Sequence, residues 1–150
     1  MLEPHARDLG LETLVAYMFD TSLAALRLVL SGILDGLSLP VVHPHCGGTL
    51  PYLAGRIDAG YTKPWALGRE LERPPSEKIK SFYTDTMCQS ADTLRYALGF
   101  YGIEHMLYGS DCPYYKQVDS LEFVRGCVEG ELADAVLWKN ARRLLGLSGD

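Results

Sequence analysis

The sequence predicts an α/β protein with parallel strands. Three short strand-like runs alternate with helical stretches, and each run stops on a polar residue just before the next helix. At 150 residues the chain has the length of one domain, read as residues 1–150, with room for a sizeable core. A content of 47% hydrophobic and 22% charged residues excludes a disordered chain, a collagen-like repeat and a coiled coil.

Met1 to Gly10 reads as an irregular entry. A helical stretch follows in two pieces around Asp20-Thr21-Ser22, where Asp20 or Thr21 can cap the second piece. There Leu23, Leu26, Leu30, Ile33 and Leu34 recur at helical spacing and form one apolar face, and Gly36 suits the C-terminal cap. The first strand is Leu39-Pro-Val-Val-His-Pro-His45, expected to be short because Pro40 and Pro44 lack the N–H that a ladder needs. Thr49 to Ile57 opens another helix, with Pro51 in its first turn. Tyr61 to Lys80, rich in proline and charge, reads as an exposed excursion.

The second half repeats the alternation. Ile79 to Thr84 is the next strand, ending at Asp85. Ala91 to Tyr101 is a helix with Ser90 as its cap and Gly102 past its end. His105 to Tyr108 is the third strand, running into Gly-Ser-Asp-Cys-Pro. Helices over about Ser120 to Glu129 and Glu131 to Leu145 close the chain, stopped at Gly146.

A net charge of −5 with scattered Lys and Arg leaves no basic stripe, so nucleic acid is not an expected partner. The apolar stretches are broken by Arg27, Ser31 or Asp35, and the N-terminus carries no basic n-region, so the expectation is no membrane and a cytoplasmic location. Cys46, Cys88, Cys112 and Cys127 are widely spaced with no C-x-x-C pair, which predicts reduced thiols and no structural zinc site.

His45, Asp85 and Asp111 close the three strand-like runs. In parallel α/β folds the carboxyl ends of the strands share one rim, and ligands bind there. One imidazole and two carboxylates on such a rim suit a divalent cation such as zinc, manganese or iron, or an acid/base pair. The alternative is that these residues merely cap helices. Gly-x-Asp-x-Pro around Asp111 is also ordinary turn composition, and Asp85 carries the weakest signal. His5 and His105 read as surface or packing residues, and His43 shares a side of the strand with His45 and so stands behind it. A (β/α)8 barrel takes about 250 residues. Three strands are therefore either a small open sandwich or part of something larger.

His45-Cys-Gly-Gly-Thr-Leu-Pro-Tyr-Leu-Ala-Gly-Arg-Ile-Asp58 resembles the H-x-G-G-x-x-P-[YF]-x-x-G-R-x-[DS] signature of amidohydrolase-related proteins, in the branch of aminocarboxymuconate-semialdehyde and resorcylate-type decarboxylases. Phe82-Tyr-Thr-Asp-Thr86 resembles the family's seventh strand, and Tyr108-Gly-Ser-Asp-Cys-Pro-Tyr114 its G-[ST]-D-x-P-[FY] eighth-strand motif. The helix ending Leu30-Ser-Gly-Ile-Leu-Asp35 and the closing Asn140-Ala-Arg-Arg-Leu-Leu-Gly146 also resemble family segments. Together these span nearly the whole chain in the family's order.

The resemblance implies the C-terminal half of a TIM-like (β/α)8 barrel, family strands six to eight. It implies a divalent metal, usually zinc, that polarises substrate or activates water. Asp111 falls on the family's metal-ligand aspartate and His45 on an acid/base histidine beside the metal. Arg56 falls on an arginine that reaches a substrate carboxylate, for which a guanidinium fork is suited. The family's first-strand H-x-H and fifth-strand His-Pro are absent. His43-Pro-His45 spells H-x-H but lies in the sixth-strand motif, so Asp111 is the one expected ligand present. A lone carboxylate does not hold zinc, because such sites need three or more protein ligands.

Two functions follow. One is part of a metal-dependent decarboxylase or hydrolase for a small carboxylated, muconate-like or aromatic substrate, inactive without the missing half. The other is a non-catalytic half-barrel relic or assembly module that pairs with another chain. Exposed strand edges predict a homo-oligomer or a complementary N-terminal half as partner.

Overall fold

The residues read as a break between two helical pieces, Asp20-Thr21-Ser22, lie inside the first helix. A π-turn (Glu12–Ala16) leads into α1 (Tyr17–Ser31), which runs unbroken through Asp20-Thr21-Ser22. Thr21 Oγ1 donates to the Tyr17 carbonyl at 3.0 Å and Ser22 Oγ to the Met18 carbonyl at 2.6 Å, so both hydroxyls bond back one turn and the backbone ladder continues. The cap is Gly32 at φ +74°, a left-handed position that glycine adopts without a Cβ clash, and Gly36 closes the turn beyond it.

The computed structural model describes residues 9–63, 65 and 70–147. The expected entry over Met1 to Asp8, with His5, and residues 64 and 66–69 of the excursion lie outside them. The chain divides into two units, one within Met1–Leu39 and Gly47–Ile79, the other within Pro40–Cys46 and Lys80–Asp150.

In the first unit, the fully buried residues of α1 are Ser22, Ala25 and Val29; of the expected apolar face Leu34 is buried, Leu26 and Leu30 are half-buried, and Leu23 and Ile33 are exposed. Small residues are needed there because Ser22 Oγ accepts the Thr49 N–H at 2.9 Å, which brings α1 against the start of α2 (Leu50–Tyr61). The helical stretch Glu12–Ser31 is long and apolar enough to cross a membrane by length and composition. The expectation that every apolar stretch falls short of a span is corrected for this segment, since Arg27 alone does not break it. Those two criteria alone do not separate a membrane span from the helix of a water-soluble core.

Helix α2 carries Pro51 in its first turn, as expected, and extends past Ile57. The stretch read as an exposed excursion contains α3 (Pro75–Lys80), whose Pro75, Ser76 and Ile79 are buried. Its start is capped from a distance. The Asp58 carboxylate accepts the Ser76 N–H at 3.0 Å and the Ser76 hydroxyl at 2.6 Å.

The second unit holds β1 (Val42–His43), β2 (Tyr83–Asp85) and β3 (Met106–Leu107) in a parallel sheet of order β1-β2-β3. His43 pairs with Thr84, and Asp85 with Leu107. The strand β1 is as short as its prolines predict, whereas β2 starts later than expected because Ile79 and Lys80 belong to α3. Thr84 is fully buried, and its Oγ1 donates to the His43 carbonyl at 2.7 Å. The core around the sheet includes Phe82, Leu94, Met106, Val124 and Val136.

Helix α4 (Ala91–Tyr101) has the expected ends. Ser90 Oγ accepts the Thr93 N–H at 3.4 Å, and Gly102 follows at φ +83°. After β3 come α5 (Gln117–Cys127), then α6 (Gly130–Asp134), a π-turn (Ala135–Lys139) and α7 (Asn140–Leu144). The buried Asn140 amide donates to the carbonyls of Ile103 and Met106, both at 2.8 Å, and so ties the last helix to the start of β3. Val136 supplies a carbonyl to the Tyr108 N–H at 2.9 Å, which holds the far end of β3. Three parallel strands with intervening helices match the predicted fold class.

Candidate functional site

The rim at the carboxyl ends of the three strands in the second unit holds most of the predicted site residues. Past β1 the backbone turns through successive left-handed residues, His45 at φ +57°, Cys46 at φ +54°, Gly47 at φ +79° and Gly48 at φ +56°. The glycines adopt this freely, whereas each non-glycine costs on the order of 1 kcal/mol. Strain of this kind collects at functional sites. It ends β1 and leaves His45 just past the strand end.

Asp85, at the end of β2, is fitted to that turn. Its Oδ1 accepts the Cys46 N–H at 3.3 Å and the Met87 N–H at 3.0 Å. Burial pushes its carboxyl above the ordinary value, while these backbone donors and the nearby His45 pull it down. Gly109 makes room for it, since a Cβ there would lie 2.9 Å from Asp85 Cβ and 3.2 Å from its Cγ. Thr86 Oγ1 accepts the Gly109 N–H at 3.2 Å and holds the two strand ends together.

Two imidazoles complete this corner. His43 is buried, and neither ring nitrogen has a hydrogen-bond partner among the described residues. Burial first, and then repulsion from His45, lowers its pKa to about 4, so it is neutral at physiological pH. His45 Nδ1 is likewise buried without a partner among the described residues. The strand ends at His43 and His45 already lies in the left-handed turn, so the period-two reading that put the two on one side of a strand does not extend to His45. His105 packs, with Nδ1 2.8 Å from the Tyr101 carbonyl and its ring edge-on to Tyr83 at 5.2 Å.

Asp111 stands apart from this corner. It lies beyond β3 at φ +52° and is exposed, and its carbonyl accepts the N–H groups of Tyr114 at 2.9 Å and Tyr115 at 3.3 Å. Its backbone therefore forms a turn while its carboxylate faces solvent. Arg56 sits exposed on α2, in the first unit. Among the described residues there is no group of three or more His, Cys, Asp or Glu placed to hold a metal ion. These residues therefore do not make a metal site by themselves, and Asp111 is at most one ligand of a larger set.

Asp85 carries the weakest signal in the sequence, yet it is the carboxylate that the fold brings to the His45 turn. Gly109 was the available clue, a glycine two residues before Asp111 whose missing side chain is needed by a neighbour rather than by a ligand. The contact of Cys46 with Asp85 has no local sequence signal.

The unit has the strand–helix alternation and the polar carboxyl rim of (β/α)8 barrel enzymes. The amidohydrolase family matches residues 12–147, and the chain belongs to that family. Over 100 residues it is 38% identical to a 6-methylsalicylic acid decarboxylase of Penicillium expansum, covering 65% of this chain and 31% of that protein. It superposes on the 5-carboxyvanillate decarboxylase LigW of Sphingomonas paucimobilis with a TM-score of 0.85 at 28% identity, covering 95% of this chain and 44% of the other. A dihydroxybenzoic acid decarboxylase of Polaromonas sp. JS666, solved with bound manganese and the inhibitor 2-nitroresorcinol, shares the fold at a TM-score of 0.81 and 24% identity, covering 100% and 48%. The chain thus spans under half the length of these relatives. It is related to metal-dependent decarboxylases of aromatic and muconate type, as the motifs predicted.

Proposed function

We propose that these residues form the last three strands of a cytoplasmic decarboxylase acting on a small aromatic or muconate-like carboxylate. The left-handed turn that seats His45 against Asp85 carries this reading, because it places an imidazole and a carboxylate at a strained strand end. Arg56 holds a substrate carboxylate through its guanidinium fork. His45 delivers a proton to the carbon that loses carbon dioxide, whose bonding electron pair needs an acceptor as the C–C bond breaks. Asp111 contributes one carboxylate to a divalent cation, zinc or the manganese found in relatives, which supplies Lewis-acid chemistry when bound.

Among the described residues no group of three ligands forms, so the rest of the set is supplied from elsewhere. Among the described residues the outer edges of β1 and β3 have no strand beside them, which suits completion by an N-terminal half or by a second copy. The test is metal content after chelator washing, together with carbon dioxide release from hydroxybenzoate and muconate carboxylates. The 150-residue chain alone is expected to keep less than one manganese or zinc ion and to release no carbon dioxide. Supplying an upstream half with H-x-H and His-Pro should restore both, with release lost in His45→Ala and metal lost in Asp111→Ala. Full release in the His45→Ala form would overturn the reading.

A further inference from the structure

Strand β1 is tied to the sheet on one side, and it carries a buried imidazole. Among the described residues β1 is an edge strand of two residues, set between Pro40 and Pro44, which have no N–H to donate. Its ties run to β2. The Val41 carbonyl accepts the Tyr83 N–H at 2.8 Å, and the His43 carbonyl accepts the Thr84 hydroxyl at 2.7 Å. Past the strand, the Cys46 N–H reaches Asp85 Oδ1 and the Cys46 thiol reaches the Asp85 carbonyl, both at 3.3 Å. Strand β3 is as short, but Asn140 and Val136 hold it from the last helices.

His43 is 3% exposed, and both of its ring nitrogens are buried without a hydrogen-bond partner among the described residues. The neutral ring packs there as an apolar group would. A proton gives it a full charge and a second N–H donor, with no acceptor in place for either. A buried charge in that position stays deprotonated or moves to water. Because His43 lies in an edge strand, release of β1 alone is enough to bring the ring to water. The rest of the sheet does not have to come apart.

We propose that β1 and the turn after it form an acid-released latch. Protonation of His43 detaches β1 from β2 and lifts the His45 turn off Asp85, while β2, β3 and their helices stay folded. The titratable groups of this corner are His45 and Cys46 in the turn, Asp85 at the end of β2, and the buried Tyr101 on α4. Of these, His45 acts on His43 directly, and its charge adds to the effect of burial in keeping that ring neutral. A thiol and a phenol carry no charge in the acid range, so Cys46 and Tyr101 do not compensate. Burial raises the Asp85 carboxyl, so proton uptake there favours the closed form and offsets part of the release. The inference does not depend on the decarboxylase reading, because its readout is the backbone of this chain.

The test is amide hydrogen exchange of the 150-residue chain at pH 7.5 and pH 5, each rate corrected for the intrinsic pH dependence. A ring that titrates at about 4 when closed and near 6.5 when released makes opening about thirtyfold more frequent at the lower pH. That rise is expected at the Tyr83 and Cys46 N–H groups, and it should be insensitive to low urea, as a small local opening is. The Tyr108 N–H, held by the Val136 carbonyl, should stay better protected by about tenfold or more and respond to urea. In His43→Phe the acid rise at Tyr83 should fall below about threefold. Exchange of all three groups together, with one urea dependence, would mean that the whole unit opens and would overturn the latch. So would an acid rise that persists in His43→Phe. Should that variant not fold, the wild-type ring decides the matter, since a His43 imidazole titrating near 6.5 with Tyr83 and Cys46 still protected also overturns it.

Discussion

Asp85 and Asp111 each close a strand-like run in the sequence pattern, but Asp85 is the last residue of β2 whereas Asp111 lies four residues past β3. Asp85 is half-buried, receives the N–H groups of Cys46 and Met87, and is packed against Gly109. Asp111 is exposed, and its turn is held by backbone bonds to Tyr114 and Tyr115. Position at a strand end therefore does not decide what a carboxylate does. Asp85 is committed to the architecture of the His45 turn, whereas Asp111 has a carboxylate available for an outside partner.

The largest test of this contrast is acidification. His43, behind the crowded end, has a pKa near 4 when folded, whereas an unfolded imidazole takes up its proton near 6.5. The unfolded chain binds more protons between those values, so stability falls as pH drops from about 6.5 toward 4, by on the order of 3 kcal/mol in full. Asp85, with its raised carboxyl, acts in the opposite direction and offsets part of the loss. Melting followed from pH 7.5 to pH 5 should fall more steeply in the wild-type chain than in His43→Phe. Equal slopes would remove His43 from the account of the crowded corner.

Asp85→Ala comes next. It strands the Cys46 and Met87 N–H groups and should cost about 2 kcal/mol in urea unfolding. Gly109→Ala should cost about 1–2 kcal/mol, because the new Cβ meets the Asp85 Cβ and not the end of a flexible chain. Asp85→Gly and Gly109→Ala combined should cost less than the sum of the two alone, since removing the Asp85 Cβ removes the obstructing carbon.

The smallest effect is expected at the open end. Asp111→Ala should change stability by less than about 0.5 kcal/mol, as surface substitutions usually do. If it cost as much as Asp85→Ala, the two strand ends would not differ in the way described.

Much of the fold was legible locally. Strand–helix alternation, the short β1 imposed by Pro40 and Pro44, and α4 between Ser90 and Gly102 all rest on signals within a few residues of where they act. The misread segments depend on partners far along the chain. Ser22 reads as part of a break, but its hydroxyl bonds back within α1 and also receives Thr49. The excursion reads as exposed because the cap of α3 comes from Asp58, eighteen residues away by the Ser76 bond. The buried side of α1 is set by how closely another backbone approaches, which leucine spacing does not encode.

The site divides in the same way. The order of motifs from His45 to Asp58, through Phe82 to Thr86, to Tyr108 to Tyr114 was sufficient on its own to place the chain in the amidohydrolase family, because residue identity at fixed spacing is a one-dimensional property. Only the tertiary structure decided that Asp85 joins the His45 turn, that Gly109 is empty for the sake of Asp85, and that the Cys46 thiol meets the Asp85 carbonyl. Those relations join atoms dozens of residues apart, and they exist only once the parallel strands are side by side.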